Sequence, residues 1–418
     1  MTRGVRFPLI VCLLLPAAPA QAPSDELLQQ VRKRVAETLD HLPDYTCRQT
    51  IERYLRPPRS RVYRLEDKLR LDVALIGGKE VYAWPGSSKF EEKGLQQIVG
   101  LGATSTGNFA VHIHNIFLRA GTEFMYVGPA DGPAGAAHRF EFRIPKEKSD
   151  FYLMEGSASA CVGYHGSFLV DAEKFHLLRL EIIADEIPKP LTYTKSIDRV
   201  EYTRVRIGDT EFTMPKTAEM ELLSPVADSR NLTIFEGCRQ YVVESVMSFV
   251  DLPAGGAAAA PAAALSLPAG VELDMNLAAP IELGKTVAGD PVTAVLSHEV
   301  KRDGKVLLPK GARFSGRLTR LERRQSHSLV YQVVGIVLNA VEAPGLWGAF
   351  QGTLEDAGTS VGGAFHVPFL DQGTTSNIWT NFRHVIDPPR TGEGVFYVRG
   401  EKRAISTGTR LVWRTVQP

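Results

Sequence analysis

Charge of one sign, cysteine and long apolar runs are all scarce in this 418-residue sequence. Lysine and arginine total 48 and aspartate and glutamate total 47, so the formal net charge is +1 at pH 7. A chain this balanced has no overall field that would attract nucleic acid or anionic lipid, and polyanion binding is not predicted. After the first 20 residues no run approaches the roughly 20 consecutive apolar residues that a membrane-spanning helix needs. We therefore predict a mature chain with no transmembrane span.

The motifs of common catalytic sites are also missing. Ser167, His165 and Asp171 share one stretch, but no Gly-x-Ser-x-Gly nucleophile elbow surrounds the serine, and polar positions on a half-exposed strand explain them better. His112 and His114 would share a face on a strand. On the helix predicted for this segment they lie about 200° apart and cannot chelate one ion together. We predict no catalytic residue, no metal ligand and no cofactor.

The first 20 residues have the three parts of a secretory signal peptide. Arg3 and Arg6 precede the apolar run 7–15, and Ala18-Pro19-Ala20 supplies small residues before a predicted cleavage between Ala20 and Gln21. Cleavage two residues later also fits, but it would leave proline at the new N-terminus, where it hinders signal peptidases. A membrane anchor is the competing interpretation, and the short run disfavours it. We predict export to the periplasm or the outer-membrane periphery of a Gram-negative-type bacterium.

Three cysteines remain after this cleavage: Cys47, Cys161 and Cys238. An oxidising compartment favours one disulfide with one thiol left over. Cys47 and Cys238 both begin the phrase Cys-Arg-Gln, each followed by a strand-like run, and we predict that they pair. The bridge would join the start of the first domain to its last strands, a closure worth roughly 4 to 5 kcal/mol in the chain-entropy model. Three buried, unpaired thiols are the alternative.

Residues 24–252 have the pattern of an antiparallel sheet covered by helices. Ser24 is a candidate N-cap, and apolar residues at helical spacing predict an amphipathic helix over 24–42. A second helix is predicted over 108–120. Short alternating runs separated by turn signals predict a meandering, curved sheet, or half-barrel. The predicted strands are 50–54, 68–75, 79–84, 123–128, 138–144, 166–170, 176–183, 200–207, 211–223 and 241–249.

An Ala/Pro/Gly tract at 253–266 predicts an extended or flexible linker, because it has neither charge nor apolar periodicity. An alanine helix is the alternative, which the glycines and the proline of the tract disfavour. Residues 267–418 are all-β in pattern, with an alternating run at 292–298 and the hairpin signal Asp303-Gly304 before a return strand at 305–308. Further strands are predicted at 330–338, 394–398 and 410–415. The predicted fold class is mainly β with a few helices: a curved N-terminal sheet and a small C-terminal β-barrel or sandwich.

The hairpin at 166–171 and 178–181, together with 69–73 and 78–80, resembles the strand-turn-strand signature of the LolA-type lipoprotein carriers and their RseB-like relatives. The resemblance covers residues 24–250. It implies a half-barrel whose curved sheet and covering helices hold acyl chains or offer an interaction surface, without catalysis.

Residues 267–320 are similar to the C-terminal β-domain of the TrbI-like scaffold proteins of type IV secretion systems. The matching phrases are Leu267-Pro268-Ala269-Gly270, Ala288-Gly289-Asp290-Pro291 and Leu308-Pro309-Lys310-Gly311-Ala312. The inner-membrane anchor and pore-forming helical insertion of that family are not found in this sequence. The resemblance therefore implies an interaction domain and not a secretion channel.

A cluster of arginines follows these phrases: Arg313, Arg317, Arg320, Arg323 and Arg324. Part of it alternates with apolar residues, which predicts one face of a strand. The first three form a possible docking surface for an anionic envelope partner, and a simple solvated strand face is the alternative.

We expect from these patterns an exported, non-enzymatic cell-envelope protein. Its curved sheet would bind an apolar ligand or a partner segment, and its C-terminal β-domain would mediate association. A structural or assembly component with no small ligand is the alternative, and a hydrolase is a third. Expected partners are lipid, lipoprotein or another envelope protein. Cavity volume distinguishes the first two functions, because a carrier needs an apolar cavity of about several hundred Å³.

Overall fold

The computed structural model describes residues 23–87, 90, 95–99, 102–107, 110–133, 135–241, 263–326, 329–358, 364–365, 389–390, 392–399 and 404–416. The fold is mainly β, as predicted. The signal peptide and its cleavage site at Ala20 and Gln21 lie outside the described residues. Within the described ranges, no helix has both the length and the apolar character needed to cross a membrane.

Helices and strands follow the chain in two halves. The helices are α1 (Pro23–Asp40), α2 (Leu95–Val99) and α3 (Val111–Phe117), and a 3-10 turn covers Lys146–Lys148. The strands of the first half are β1 (Tyr45–Arg56), β2 (Arg64–Ile76), β3 (Lys79–Ala83), β4 (Glu123–Gly132), β5 (Gly135–Ile144), β6 (Phe151–Glu155), β7 (Ala158–Val162), β8 (Tyr164–Asp171), β9 (Leu177–Ala184), β10 (Lys195–Ile207), β11 (Thr210–Leu223) and β12 (Asp228–Gln240). Those of the second half are β13 (Ala263–Ala264), β14 (Glu272–Leu277), β15 (Ile281–Glu282), β16 (Pro291–Leu296), β17 (Val300–Arg302), β18 (Lys305–Leu308), β19 (Arg313–Ser326), β20 (Leu329–Ala343), β21 (Leu346–Ala349), β22 (Gly352–Ala357), β23 (Ala364–Phe365), β24 (Glu393–Arg399), β25 (Ala404–Ile405) and β26 (Arg410–Thr415).

The N-terminal sheet is a curved half-barrel in the order β3-β2-β1-β12-β11-β10-β9-β8-β5-β4. Every pairing along it is antiparallel, as the meandering pattern predicts. Because successive strand residues point to opposite faces, alternate positions such as Phe140, Phe168 and Leu180 are buried on the concave face. Helices α1 and α3 pack on that face, and β6 with β7 forms a separate hairpin.

Both predicted helices exist, with different bounds. Helix α1 begins at Pro23, so Ser24 lies in its first turn and is not the N-cap. Proline suits this position because its fixed φ is helical and its missing N–H needs no partner. The second helix is shorter than the predicted 108–120, since α3 covers Val111–Phe117. Residues 108–109 lie outside the described residues.

The predicted disulfide is present: the sulfurs of Cys47 and Cys238 are 2.02 Å apart. It links the neighbouring strands β1 and β12 beside a bulge between Thr46 and Arg48. The two cysteines lie inside these strands and not before them, and most of the strand predicted at 241–249 lies outside the described residues. Cys161 is a free thiol of intermediate exposure.

The C-terminal sheet runs in the order β13-β21-β20-β19-β16-β14-β26-β22, and β24 adds to β20. It curls back on itself around a core of apolar side chains: a Cβ on Gly394 of β24 would lie 2.6 Å from the Cβ of Leu354 in β22. The predicted hairpin is confirmed, because β17 and β18 pair across Asp303 (φ 52°) and Gly304 (φ 74°). Positive φ at both turn positions is what a two-residue type I′ turn requires.

The end of the predicted linker is part of this sheet. Ala263 and Ala264 form β13, which pairs in parallel with β21, and the Leu265 N–H donates to the Trp347 carbonyl at 2.7 Å. The C-terminal end of the tract is thus extended, and the prediction of a linker over 253–266 remains a prediction. The tract has few side chains to pack, but its backbone supplies the ladder bonds. Residues 253–262 lie outside the described residues.

The two sheets meet at the edge of β2. Strand β3 pairs with β2 only from Asp72 onward, which leaves the preceding edge available. The Arg70 N–H donates to the Ala288 carbonyl at 2.7 Å, and the Ala288 N–H donates to the Lys68 carbonyl at 3.0 Å. Gly289 (φ 106°) permits this approach, since a Cβ there would lie 2.3 Å from the Arg70 carbonyl oxygen. The phrase Ala288-Gly289-Asp290 thus joins the two sheets.

Candidate functional site

Aromatic side chains fill the concave face of the N-terminal sheet. Phe168 packs against Phe117 of α3 at 4.8 Å between ring centroids and against Phe140 at 5.0 Å. Phe124 lies 6.2 Å from Phe168, and all but Phe124 are at most 1% exposed. Val31 of α1 is fully buried in the same core. The surface on which the LolA resemblance places a ligand is therefore occupied by the chain's own side chains.

The covering helix α1 is fastened at the rim of this core by side-chain to backbone bonds. The Arg32 guanidinium donates to the Phe117 carbonyl at 2.8 Å, which ties α1 to α3. Arg34 donates to the Lys174 carbonyl at 3.1 Å, in the turn between β8 and β9. The remaining attachment is apolar, through residues such as Val31 and Val35.

A polar band continues the concave face beneath residues 102–107. The Ser105 hydroxyl donates to Asp198 at 2.7 Å, Asn231 donates to the Ala103 carbonyl at 2.8 Å, and the Gly107 N–H donates to Glu80 at 2.8 Å. Asp198 is only 4% exposed. Burial raises the pKa of this carboxyl group to about 6, although its bond to Ser105 acts in the opposite direction. These contacts hold the segment against the sheet.

The two histidines of α3 face apart, as helical spacing predicts. His112 is buried beside Phe151, and desolvation lowers its pKa to about 4, so the imidazole is neutral at pH 7. His114 is exposed. Across the described ranges, no group of three His, Cys, Asp or Glu residues is placed to hold a metal ion.

An open groove of about 620 Å³ lies on the outer face of β4, β5, β8 and β9. Most of its strand positions alternate with the buried core positions and lie on the outer face, whereas Phe124 and Phe142 belong to the inner face. Both charged and apolar residues line it, and the lining consists of Glu123, Phe124, Met125, Arg139, Glu141, Phe142, Arg143, His165, Gly166, Ser167, Glu181 and Ile183.

The residues considered for hydrolysis do not converge in this groove. His165 and Ser167 both line it, and the Nε2 of His165 lies 3.3 Å from Asp185. The Asp171 carboxylate is used elsewhere, because it accepts the N–H groups of Lys174 and His176 at 2.7 Å in the β8–β9 turn. The three residues are therefore not a Ser/His/Asp constellation.

Arg320 lies next to a bulge in β19. The register against β20 shifts between Leu318 and Arg320, so Arg320 lies opposite Gly335 and not on the face of the buried core residues Leu318 and Leu321, yet it is only 4% exposed. Its guanidinium donates to both oxygens of Glu393, at 3.0 and 2.7 Å. The prediction that Arg320 belongs to a docking surface is wrong, because Glu393, 73 residues further along the chain, pairs with it in a buried position.

The other arginines have different surroundings. Arg313 is exposed. Arg317 donates to the Ser87 hydroxyl at 3.1 Å, and burial lowers its pKa. Arg324 forms an ion pair with Glu66 at 2.9 Å and thereby reaches the N-terminal sheet. Arg317 and Arg324 thus contact the first half of the chain, and a docking role for Arg313 remains a prediction.

No protein-family model and no curated protein matches this chain. Among solved structures, a DUF1329 family protein from Desulfovibrio piger ATCC 29098 is 13% identical with a TM-score of 0.31, and the match covers 53% of this chain and 94% of that one. A putative outer membrane lipoprotein-sorting protein domain from Vibrio parahaemolyticus is 11% identical with a TM-score of 0.28, covering 52% of this chain and 94% of that one.

Proposed function

We propose that this chain is an exported, non-enzymatic assembly component of the cell envelope, which offers its outer surfaces to partners. The features of a signal peptide in residues 1–20 and the disulfide between Cys47 and Cys238 support export, because disulfides persist in oxidising compartments. Lipid, lipoprotein and other envelope proteins are the partner classes that this location makes available.

The filled concave face is the observation that carries the proposal. A carrier of acyl chains needs an apolar cavity of about several hundred Å³. Here Phe117, Phe140 and Phe168 occupy the centre of the face, and α1 covers them. The groove of about 620 Å³ has the required volume, but it is open, lies mostly on the opposite face and has charged side chains such as Glu123, Arg139 and Glu181 in its lining.

The arrangement of polar residues supports a function without catalysis. A hydrolase of the Ser/His/Asp type needs three groups connected by hydrogen bonds. His165 pairs with Asp185, whereas Asp171 is committed to the turn of its own hairpin. Nucleophilic activation of Ser167 has no support in these contacts.

Carriage of an acyl chain beneath α1 is the second candidate, and the aromatic cluster favours it. If α1 and α3 moved away from the sheet, they would uncover a continuous surface of Phe124, Phe140 and Phe168. The bonds of Arg32 and Arg34 to backbone carbonyls are exchangeable with water at the rim. A chain that displaced the helices would find apolar contacts on the sheet.

Uptake of an acyl chain separates the two functions. Protein recovered from the periplasmic fraction is examined by native mass spectrometry and then titrated with a fluorescent palmitate. The assembly function predicts no lipid adduct and no saturable uptake. Carriage predicts saturable uptake. Val31→Trp overfills the core and should abolish this uptake, whereas Gln30→Trp, at an exposed position, should retain it. Saturable uptake with this dependence would overturn the assembly proposal.

A further inference from the structure

Two neighbouring hairpins turn at the same end of the N-terminal half-barrel. Residues 57–63 join β1 to β2, and residues 224–227 join β11 to β12. Because β1 pairs with β12, with Arg56 opposite Asp228, the two loops lie side by side. An ion pair of 2.5 Å between these two residues connects the loops at their base. The two loops together are called the tip below.

Each loop of the tip exposes one valine. Val62 is 65% exposed and Val226 is 70% exposed. The Val62 N–H donates to the Ser60 hydroxyl at 3.2 Å. The Val226 N–H donates in the same way to the Ser224 hydroxyl, at 3.1 Å. Single exposed apolar residues are ordinary on a protein surface, but two that adjoin at a projecting end mark a contact surface.

Arginines accompany the two valines. Residues 56–64 contain four arginines and no acidic residue: Arg56, Arg59, Arg61 and Arg64. Asp228 pairs with Arg56, whereas Arg59 and Arg61 are exposed. The net charge of the whole chain is only +1, so its overall balance conceals a local cationic surface at the tip.

We propose that the tip docks on an anionic phospholipid bilayer. The two valines enter the boundary between headgroups and acyl chains, and Arg59 and Arg61 contact lipid phosphates. Charge complementarity carries this choice, because guanidinium groups match phosphate oxygens through paired hydrogen bonds. The apolar layer that lies beneath the phosphates receives the valines. The inference rests on the proposed location in the cell envelope, which brings the chain to membrane surfaces.

The form of the apolar surface favours lipid over a protein partner. A stable protein interface buries about 800 Å² on each partner around a closely packed core, and two valines on separate loops do not form one. A bilayer accepts isolated projecting side chains while arginines stay at headgroup level. Electrostatic attraction adds to the apolar contact, so binding should weaken as salt screens the exposed charges.

Co-sedimentation with lipid vesicles tests the charges. The mature full chain should bind vesicles of phosphatidylcholine with phosphatidylglycerol, and it should bind pure phosphatidylcholine at least about tenfold less. Arg59→Asn with Arg61→Asn should weaken binding at least about tenfold, since each cation near an anionic surface contributes about fivefold. Asparagine tolerates the φ of 66° at position 59. Arg206→Asn with Arg313→Asn, at exposed positions away from the tip, should change binding less than about twofold.

Substitution of the valines distinguishes a bilayer from an acidic protein surface. Val62→Ser with Val226→Ser should weaken vesicle binding at least about fivefold, because the apolar contact is lost. Val127→Ser with Val306→Ser, at positions 49% and 50% exposed, is the control and should retain binding.

Two results would overturn docking on lipid. One is a wild-type chain that leaves anionic vesicles unbound. The other is full binding by the variant of Val62 and Val226, which would show attraction by charge alone, as an acidic protein would provide. Acyl-chain uptake is measured separately, so failure of docking is distinguishable from failure of the proposed function.

Discussion

Arg320 and Glu393 form an ion pair that water scarcely reaches: their side chains are 4% and 0% exposed. Thr319 also donates to Glu393, at 2.5 Å, and the Arg390 N–H donates to it at 2.9 Å. A buried pair contributes little net stability compared with apolar residues of similar volume, but loss of one partner leaves an uncompensated charge. The pair therefore makes the interior of the C-terminal sheet sensitive to single substitutions.

Arg320→Ala should lower the free energy of unfolding by about 3 to 5 kcal/mol, because Glu393 stays buried without its cation. The exposed Arg313→Ala should change it by less than about 0.5 kcal/mol. Urea unfolding measures both. The double variant Arg320→Met with Glu393→Gln should recover most of the loss, because the neutral amide oxygen can still accept a hydrogen bond from Thr319 or Arg390. Equal effects of the two single alanine variants would show that Arg320 is as exposed as Arg313.

Asp198 makes stability depend on pH in the sense opposite to most carboxylates. Its pKa in the folded chain, about 6, is above the ordinary value of 3.8, so the stabilisation is complete below about pH 4 and is lost as the pH rises through 6. Glu52 and Glu201 have pKa values lowered by hydrogen bonds and contribute the opposite slope. Only a difference between variants isolates the contribution of Asp198.

Asp198→Asn removes this titration while an amide can keep the contact with Ser105. As the pH rises from 4 to 7, the free energy of unfolding of the variant should rise relative to that of wild type by at most about 3 kcal/mol. A pKa difference of about two units between the folded and unfolded chain corresponds to nearly that value. Unfolding curves at several pH values measure the difference. Asp131→Asn, at an exposed position, provides the control, and a difference curve as flat as that control's would refute the role of Asp198.

At the scale of elements, a strand or turn could be predicted from the sequence where its local residue pattern agreed with its packing in the structure. The hairpin at Asp303-Gly304 was predictable because local turn chemistry alone selects it. Strand β12 was not predicted: its apolar Leu232 and Ile234 alternate, yet Ile234 is 49% exposed, whereas the polar Asn231 faces the core. Asn231 is buried there because the carbonyl of Ala103 satisfies it. Such a partner, 128 residues away in sequence, leaves no local signal.

A distant partner also explains the error in the arginine cluster. Arg320 is buried because it pairs with Glu393, which is 73 residues away in the sequence and leaves no local signal. The curved sheet with its covering helices was predictable, since the helical spacing at 24–42 and the alternating strand runs are both clear in the sequence. The filling of the concave face by α1 and α3 was not predictable, because it depends on how closely the two helices approach the sheet.

At the scale of the whole molecule, the phrase containing Gly289 has a structural role that the sequence resemblance does not indicate. Backbone bonds from Ala288 extend the N-terminal sheet at β2, and the ion pair of Arg70 with Asp290 lies beside them. Arg324 and Glu66 form a second ion pair between the two halves. Backbone pairing and charge pairing together restrict the relative movement of the sheets, as an assembly component with fixed binding surfaces would require.

Gly289→Ala should break this junction, because its Cβ would lie 2.3 Å from the Arg70 carbonyl oxygen and its φ of 106° disfavours any side chain. Hydrogen exchange should show protection of the Arg70 and Ala288 amides reduced at least about tenfold. Gly270→Ala is the matched control, since Gly270 also has positive φ (81°) but no atom within 4 Å of a Cβ. The Gly270→Ala control introduces backbone strain without an atomic clash, so it should leave the Arg70 and Ala288 amides protected. If Gly289→Ala also leaves them protected, the sheets are held together by other contacts.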